Sequence, residues 1–170
     1  MLRKSNNDKI KLILISILLL GTICYLFLFY LPVSHGGYSP KTVIKAKQAE
    51  AKAYLKTMNR YQQAYRIEHS SFTTDITAVG IPEHTDSYTY RIIPSAKSDT
   101  QVTHLAVAKQ PDLRSYIGEV AVVSGDTTVA IVCESQQSSQ IAPLTPAFVN
   151  DSLACAPGSR EIKKRALRWR

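Results

Sequence analysis

The residue types most able to do chemistry in this chain are four histidines and three cysteines. His35, His69, His84 and His104 are dispersed, and no two stand at the spacing that puts a pair of metal ligands on one helix face. They read as surface or loop histidines. Cys133 and Cys155 have no histidines at ligand spacing to complete a tetrahedral zinc site, and there is no C-x-x-C redox pair. A G-x-S-x-G elbow, a Walker loop and a dinucleotide glycine pattern are all missing from the sequence. Glu83 and Asp86 lie close in sequence without an evident partner, and solvation accounts for them. The sequence therefore predicts no catalytic, cofactor or metal site, no small-molecule substrate and no enzyme activity. What remains is thiol oxidation and electrostatics, and both depend on where the chain sits.

Residues 12–31 carry no charged side chain. As a helix they reach about 30 Å, the hydrocarbon thickness of a bilayer. Arg3, Lys4, Lys9 and Lys11 precede the run against one acid, Asp8, while residues 32–40 carry no charge. The positive-inside bias then keeps the N-terminus cytoplasmic and exports the rest from the inner membrane. Tyr25, Phe27, Phe29 and Tyr30 crowd the outer half of the run, as an interfacial aromatic belt does. The run is long for a signal peptide and lacks a small-x-small cleavage site after it, so it reads as an uncleaved single-pass anchor. Ile23 is bulky where lipidation of Cys24 needs a small residue, so Cys24 reads as an apolar membrane-helix cysteine.

An exported domain holding two cysteines is expected to join them, so Cys133 and Cys155 are the candidate disulfide. Such a bond would stabilise the fold by about 3 kcal/mol on chain-entropy grounds. The formal charge of +8 resolves by position. Residues 1–11 contribute +3 and residues 160–170 contribute +5, while residues 40–159 hold eleven bases and eleven acids. The basicity thus reads as a property of the ends rather than of the body. In the tail, Ile162, Ala166 and Trp169 recur at helical spacing among Arg160, Lys163, Lys164, Arg165, Arg168 and Arg170. Those six bases are candidate contacts to an anionic surface, to DNA or to an acidic partner. A solvated, unstructured C-terminus is the competing reading.

The elements that must hold these groups follow from periodicity. Pro32, Gly36, Gly37 and Pro40 break any continuous helix out of the anchor, and Ser39-Pro40 is a helix-start signal with serine as N-cap. Val43, Ile44, Lys47, Ala51, Tyr54, Leu55, Met58, Tyr61, Ala64 and Tyr65 then recur three and four apart. This predicts one apolar stripe along a helix of about seven turns, with Gln48, Lys52, Lys56, Asn59 and Gln63 mostly off it. The helix ends at His69-Ser70-Ser71. Its tyrosines fall on the buried stripe, so core packing is preferred over base stacking. A capped short turn is expected in TTDITAVGIP, followed by strands near residues 88–93, 103–108, 116–124 and 127–133. Ser124-Gly125-Asp126 signals a tight hairpin between the last two. Residues 134–155, with Pro143 and Pro146, read as a surface loop. The fold class is α+β: one transmembrane helix, then one long helix packed on a four-stranded antiparallel sheet. The expected divisions are residues 1–11, anchor 12–31, linker 32–39, exported domain 40–159 and basic tail 160–170.

The blocks KQAEAKAYLKTMNRYQQAYRIEHSSFTTDITAVGI, SYIGEVAVV, TTVAIVCES and CAPGS occur in an order that resembles type IV pilin-like proteins, and more narrowly the G/H-type pilin-like family of cyanobacteria. The resemblance covers roughly residues 45–160. It implies a helix on an antiparallel sheet, with Cys133–Cys155 closing the C-terminal loop. It also implies protein partners in a pilus or pseudopilus, and roles in adhesion, motility, DNA uptake or secretion. The entry to the apolar run, NNDKIKLILIS, lacks the glycine and the glutamate of a prepilin cleavage site. An unprocessed anchor, outside ordinary filament incorporation, is therefore the expectation.

Overall fold

A computed structural model describes residues 11, 14–22, 25, 39–94, 100–125, 127–150 and 152–162. The chain divides into two units, Met1–Gly37 and Tyr38–Arg170. In the first, residues 11, 14–22 and 25 are helical. Among the described residues no helix is long and apolar enough to cross a membrane, and much of the predicted span 12–31 lies outside them.

The second unit opens with α1, Pro40–His69, a 30-residue helix. Pro40 occupies its first turn, but the Ser39 side chain makes no capping bond; its carbonyl accepts from Thr42 and Val43 N–H instead. At the other end Ser70 turns left-handed, with φ 55°, and its N–H caps Arg66 O. The sheet follows: β1 Tyr88–Pro94, β2 Gln101–Ala108, β3 Tyr116–Ser124 and β4 Thr127–Ser135, each antiparallel to the next. Gly125, with φ 54°, turns the β3–β4 hairpin.

Two short additions depart from the sequence reading. Residues 134–155 are not all loop, because β5 Ala147–Val149 and β6 Ser152–Ala154 pair within them. The sheet has five strands rather than four, since β7 Ser159–Glu161 returns antiparallel to β4 and straddles the expected start of the tail. Neither addition is long enough to show a two-residue alternation.

α1 crosses one face of the sheet. Ala51, Leu55 and Met58 pack on Tyr88, Tyr90, Ala106, Tyr116 and Val132, with Ile76 and Ile81 of the following segment closing the side. Burying a side chain such as Leu55 is worth about 1.5–3 kcal/mol. That closing segment contains the expected short turn, a 3-10 helix over Thr77–Val79. Asp75, just before it, accepts from Thr77 N–H and Oγ1–H, and these bonds hold its carboxyl below the usual range.

The buried stripe differs from the predicted one at several positions. Val43 and Ala64 are exposed and Tyr54, Tyr61 and Tyr65 are only half-buried, while Asn59 and Gln62 are buried. Among the described residues the fully buried tyrosines are the strand residues Tyr88, Tyr90 and Tyr116.

Candidate interaction site

Polar side chains fasten α1 to the sheet along its whole length. Tyr90 donates to Glu50 Oε1 at 3.3 Å and Tyr116 to Gln48 Oε1 at 3.1 Å. Burial, chiefly, pushes both phenols up, so they remain neutral donors. Gln62 exchanges two hydrogen bonds with the Thr73 backbone, which ties the end of α1 to the returning chain.

At the centre, Asn59 Nδ2 donates to Ile131 O at 2.9 Å. That leaves Asn59 Oδ1 as an acceptor, so His104 donates from Nδ1 across 2.9 Å. Gly118 makes the room: a Cβ there would lie 2.9 Å from Asn59 Oδ1. His104 is therefore no surface histidine. It is fully buried on β2, and burial pushes its pKa down to about 3. Its Nε2 has no partner among the described residues.

The opposite face of the sheet carries a second buried group, Glu119, whose Oε1 accepts from Gln101 Nε2. Its Oε2 has no partner among the described residues, and burial raises its pKa from 4.5 to about 7. On the same face Ile117, Ile131 and Cys133 pack with Leu105, Leu153 and Cys155. The cysteines are joined, with their Cα atoms 5.8 Å apart, so the disulfide pins the 134–155 segment to β4.

Glu134, at the end of β4, gathers three bases, from α1, β7 and the β2–β3 loop. Lys52 of α1 lies 3.1 Å away, Arg160 of β7 2.8 Å and Arg114 3.5 Å. Burial pushes the Glu134 carboxyl up, but hydrogen bonds and charge from Arg160 and Lys52 outweigh it and hold the group below its ordinary range. Lys52, Lys56, Glu134, Arg160, Glu161 and Ile162 line an open cleft at this edge.

Of the six tail bases predicted to meet an anionic partner, Arg160 is engaged with Glu134, whereas Lys163, Lys164, Arg165, Arg168 and Arg170 lie outside the described residues. His69 and His84 are exposed; His35 lies outside the described residues. Among the described residues no group of histidines, cysteines and acids could hold a metal.

Sequence reasoning missed the Asn59–His104 seam and the Glu134 hub. One signal for the seam was present: a glycine inside a strand run marks close approach by another group. The hub had none, because its members lie far apart in sequence.

The arrangement is a packed scaffold with a stapled loop and a charged edge. A search of curated proteins found no match, and neither did a search of solved structures. A family model, type IV pilin-like G and H, matches residues 48–156, which takes in most of α1, strands β1 to β6 and both bonded cysteines. The match covers more than half of the chain, which therefore belongs to the type IV pilin-like G and H family.

Proposed function

We propose that this chain is a membrane-tethered pilin-like subunit, a minor or accessory component of a pilus or of a pseudopilus secretion system. Its role is structural and its partners are proteins. The observation that carries the reading is a pilin-like domain, residues 48–156, preceded in the same chain by the uncharged run 12–31 with bases before it. In this reading residues 12–31 hold the inner membrane, the N-terminus is cytoplasmic and the domain is exported with its disulfide formed. The missing cleavage residues favour an anchor that stays attached. Deleting the chain from its host and counting surface pili and exported substrates tests the role. Reduced assembly or export, restored by the full chain, supports it; unchanged piliation and unchanged export contradict it.

A second reading, binding of DNA or another anionic ligand through the basic tail, draws support from the charged edge. The described chain ends at Ile162, beside Lys52 and Lys56, and five more bases follow in sequence. Titrating the full chain and the chain ending at Ile162 with duplex DNA over a salt series tests it. Tighter, steeply salt-dependent binding by the full chain supports a tail contact, and equal binding by both removes it.

A further inference from the structure

Residues 135–150 carry no charged side chain. They run from the end of β4 through the stapled segment to the turn of the β5–β6 hairpin. Of the seven large apolar side chains exposed beyond residue 39 among the described residues, four lie here within nine positions: Ile141, Leu144, Phe148 and Val149. Ile141 is 78% exposed and Leu144 69%, although the backbone that carries them is held in place. Ser139 N–H donates to Leu113 O at 2.9 Å, Gln140 Nε2 to Lys109 O at 2.7 Å, and Ile141 N–H to Ser139 Oγ at 3.1 Å. Pro143 is half-buried and Pro146 buried, and between these two stiff residues Leu144 stands outward.

The loop lies at one end of the domain. Lys47 Nζ donates to Gln110 Oε1 at 2.8 Å and Tyr116 donates to Gln48, so the β2–β3 loop that holds Ser139 and Gln140 stands beside the first half of α1. The second half of α1 lies at the other end, where Gln63 bonds Thr128 next to the β3–β4 hairpin. Ile141 is therefore at the end from which α1 starts, and Pro40 is about 10 Å along the axis from Lys47. Nine residue steps join position 31 to Pro40. Such a chain spans at most about 32 Å, whatever path it takes. Where residues 12–31 hold a bilayer, α1 starts within that distance of it.

We propose that Ile141 and Leu144 dip into the lipid–water interface of the membrane that carries the chain, with Phe148 and Val149 beside them. The tether then gains a second contact that fixes which end of the domain faces the bilayer. The proposal rests on reading residues 12–31 as an anchor. The size of the patch selects the surface. A stable protein interface takes about 800 Å² from each partner, more than a few side chains on one loop supply, so this patch holds weakly to anything free in solution. A tether makes the encounter with the membrane intramolecular, at an effective concentration of roughly millimolar, and weak binding then suffices. The contact is apolar rather than electrostatic. Lys41, Lys45 and Lys109 are exposed at this end, but so are Asp86 and Asp112, and headgroup charge is not what the loop recognises.

The test reconstitutes the full chain, with Trp169→Phe removing its one tryptophan, into phosphatidylcholine vesicles with brominated acyl chains. In that background Leu144→Trp should lose about half its emission, because an interfacial apolar contact sits about 5–10 Å into the headgroup–acyl boundary, in reach of the bromines. Ile67 is 72% exposed on the far half of α1, and Ile67→Trp should lose almost none. Adding Ile141→Asp to L144W should bring its emission back to the level of the I67W chain. High salt should leave the L144W quenching in place. Equal emission from the L144W chain in brominated and plain vesicles overturns the proposal, as does quenching that salt abolishes or that I67W shares. So does an L144W emission that shifts to the blue as copies are crowded together without bromine quenching, which puts a second copy over the loop. Flotation of the vesicles after an alkaline wash separates the two readings. A chain that floats yet shows no quenching loses this contact alone; one that is washed off loses the anchor with it.

Discussion

Gly118 occupies the third position of β3 because Asn59 of α1 takes the space a Cβ would fill. Gly118→Ala therefore pushes Asn59 off Ile131 O and His104 Nδ1, costing about 1–3 kcal/mol. In an Asn59→Ala background the same change costs much less, since the clash is gone. Urea midpoints of the two singles and the double, in mild detergent, read the coupling.

Two buried groups, His104 and Glu119, pull stability in opposite directions with pH. His104 is held near 3 in the fold, so between that value and its usual 6.5 only the unfolded chain takes the proton, and stability rises with pH. Glu119 is raised from 4.5 to about 7, so across that window only the fold keeps the proton, and stability falls as pH rises. Their slopes oppose between about pH 4.5 and 6.5. Glu119→Gln should leave stability climbing up to about pH 6.5, and His104→Leu should leave it declining from 4.5 to about 7. Each difference from wild type should be of order 1–3 kcal/mol across its window, read from urea midpoints at stepped pH.

At the scale of elements, the disulfide fixes the 134–155 segment without touching the α1 contact. The double variant Cys133→Ala/Cys155→Ala should lose about 3 kcal/mol. Its hydrogen-exchange protection should fall first in β5, β6 and β7, with β1 to β3 retaining theirs. Equal loss in every strand would show that the staple supports the whole fold.

Elements were legible where a period had length to repeat. α1 announced itself through Ala51, Leu55 and Met58, and β1 to β4 through their Val, Ile, Thr and Tyr runs. β7 was not, because Ser159-Arg160-Glu161 has no apolar alternation and forms only by pairing with β4. The second half of the α1 stripe was misread for a related reason. Asn59 and Gln62 are buried by the hydrogen bonds they find on other elements, and hydropathy assigns those side chains to solvent. His104 escaped likewise: spacing tests whether histidines form ligand sets, not whether one is enclosed.

For the whole molecule, net charge proved a poor guide to surface character. The body sums to zero, yet α1 holds seven bases against two acids, while residues 70–159 hold four bases against nine acids. The cysteine pairing, by contrast, was legible in full, since the two cysteines of residues 40–159 leave one connectivity.

The proposed role requires a pilin-like domain that stays on an anchor and joins an assembly. Purifying the full chain from host membranes in mild detergent, then taking its intact mass together with the identities of its companions, addresses both halves at once. The predicted result is pilus or secretion-assembly proteins in the eluate and a chain that retains its N-terminal segment through residue 31. A chain shortened before residue 31, or recovered alone from the aqueous fraction, would contradict it.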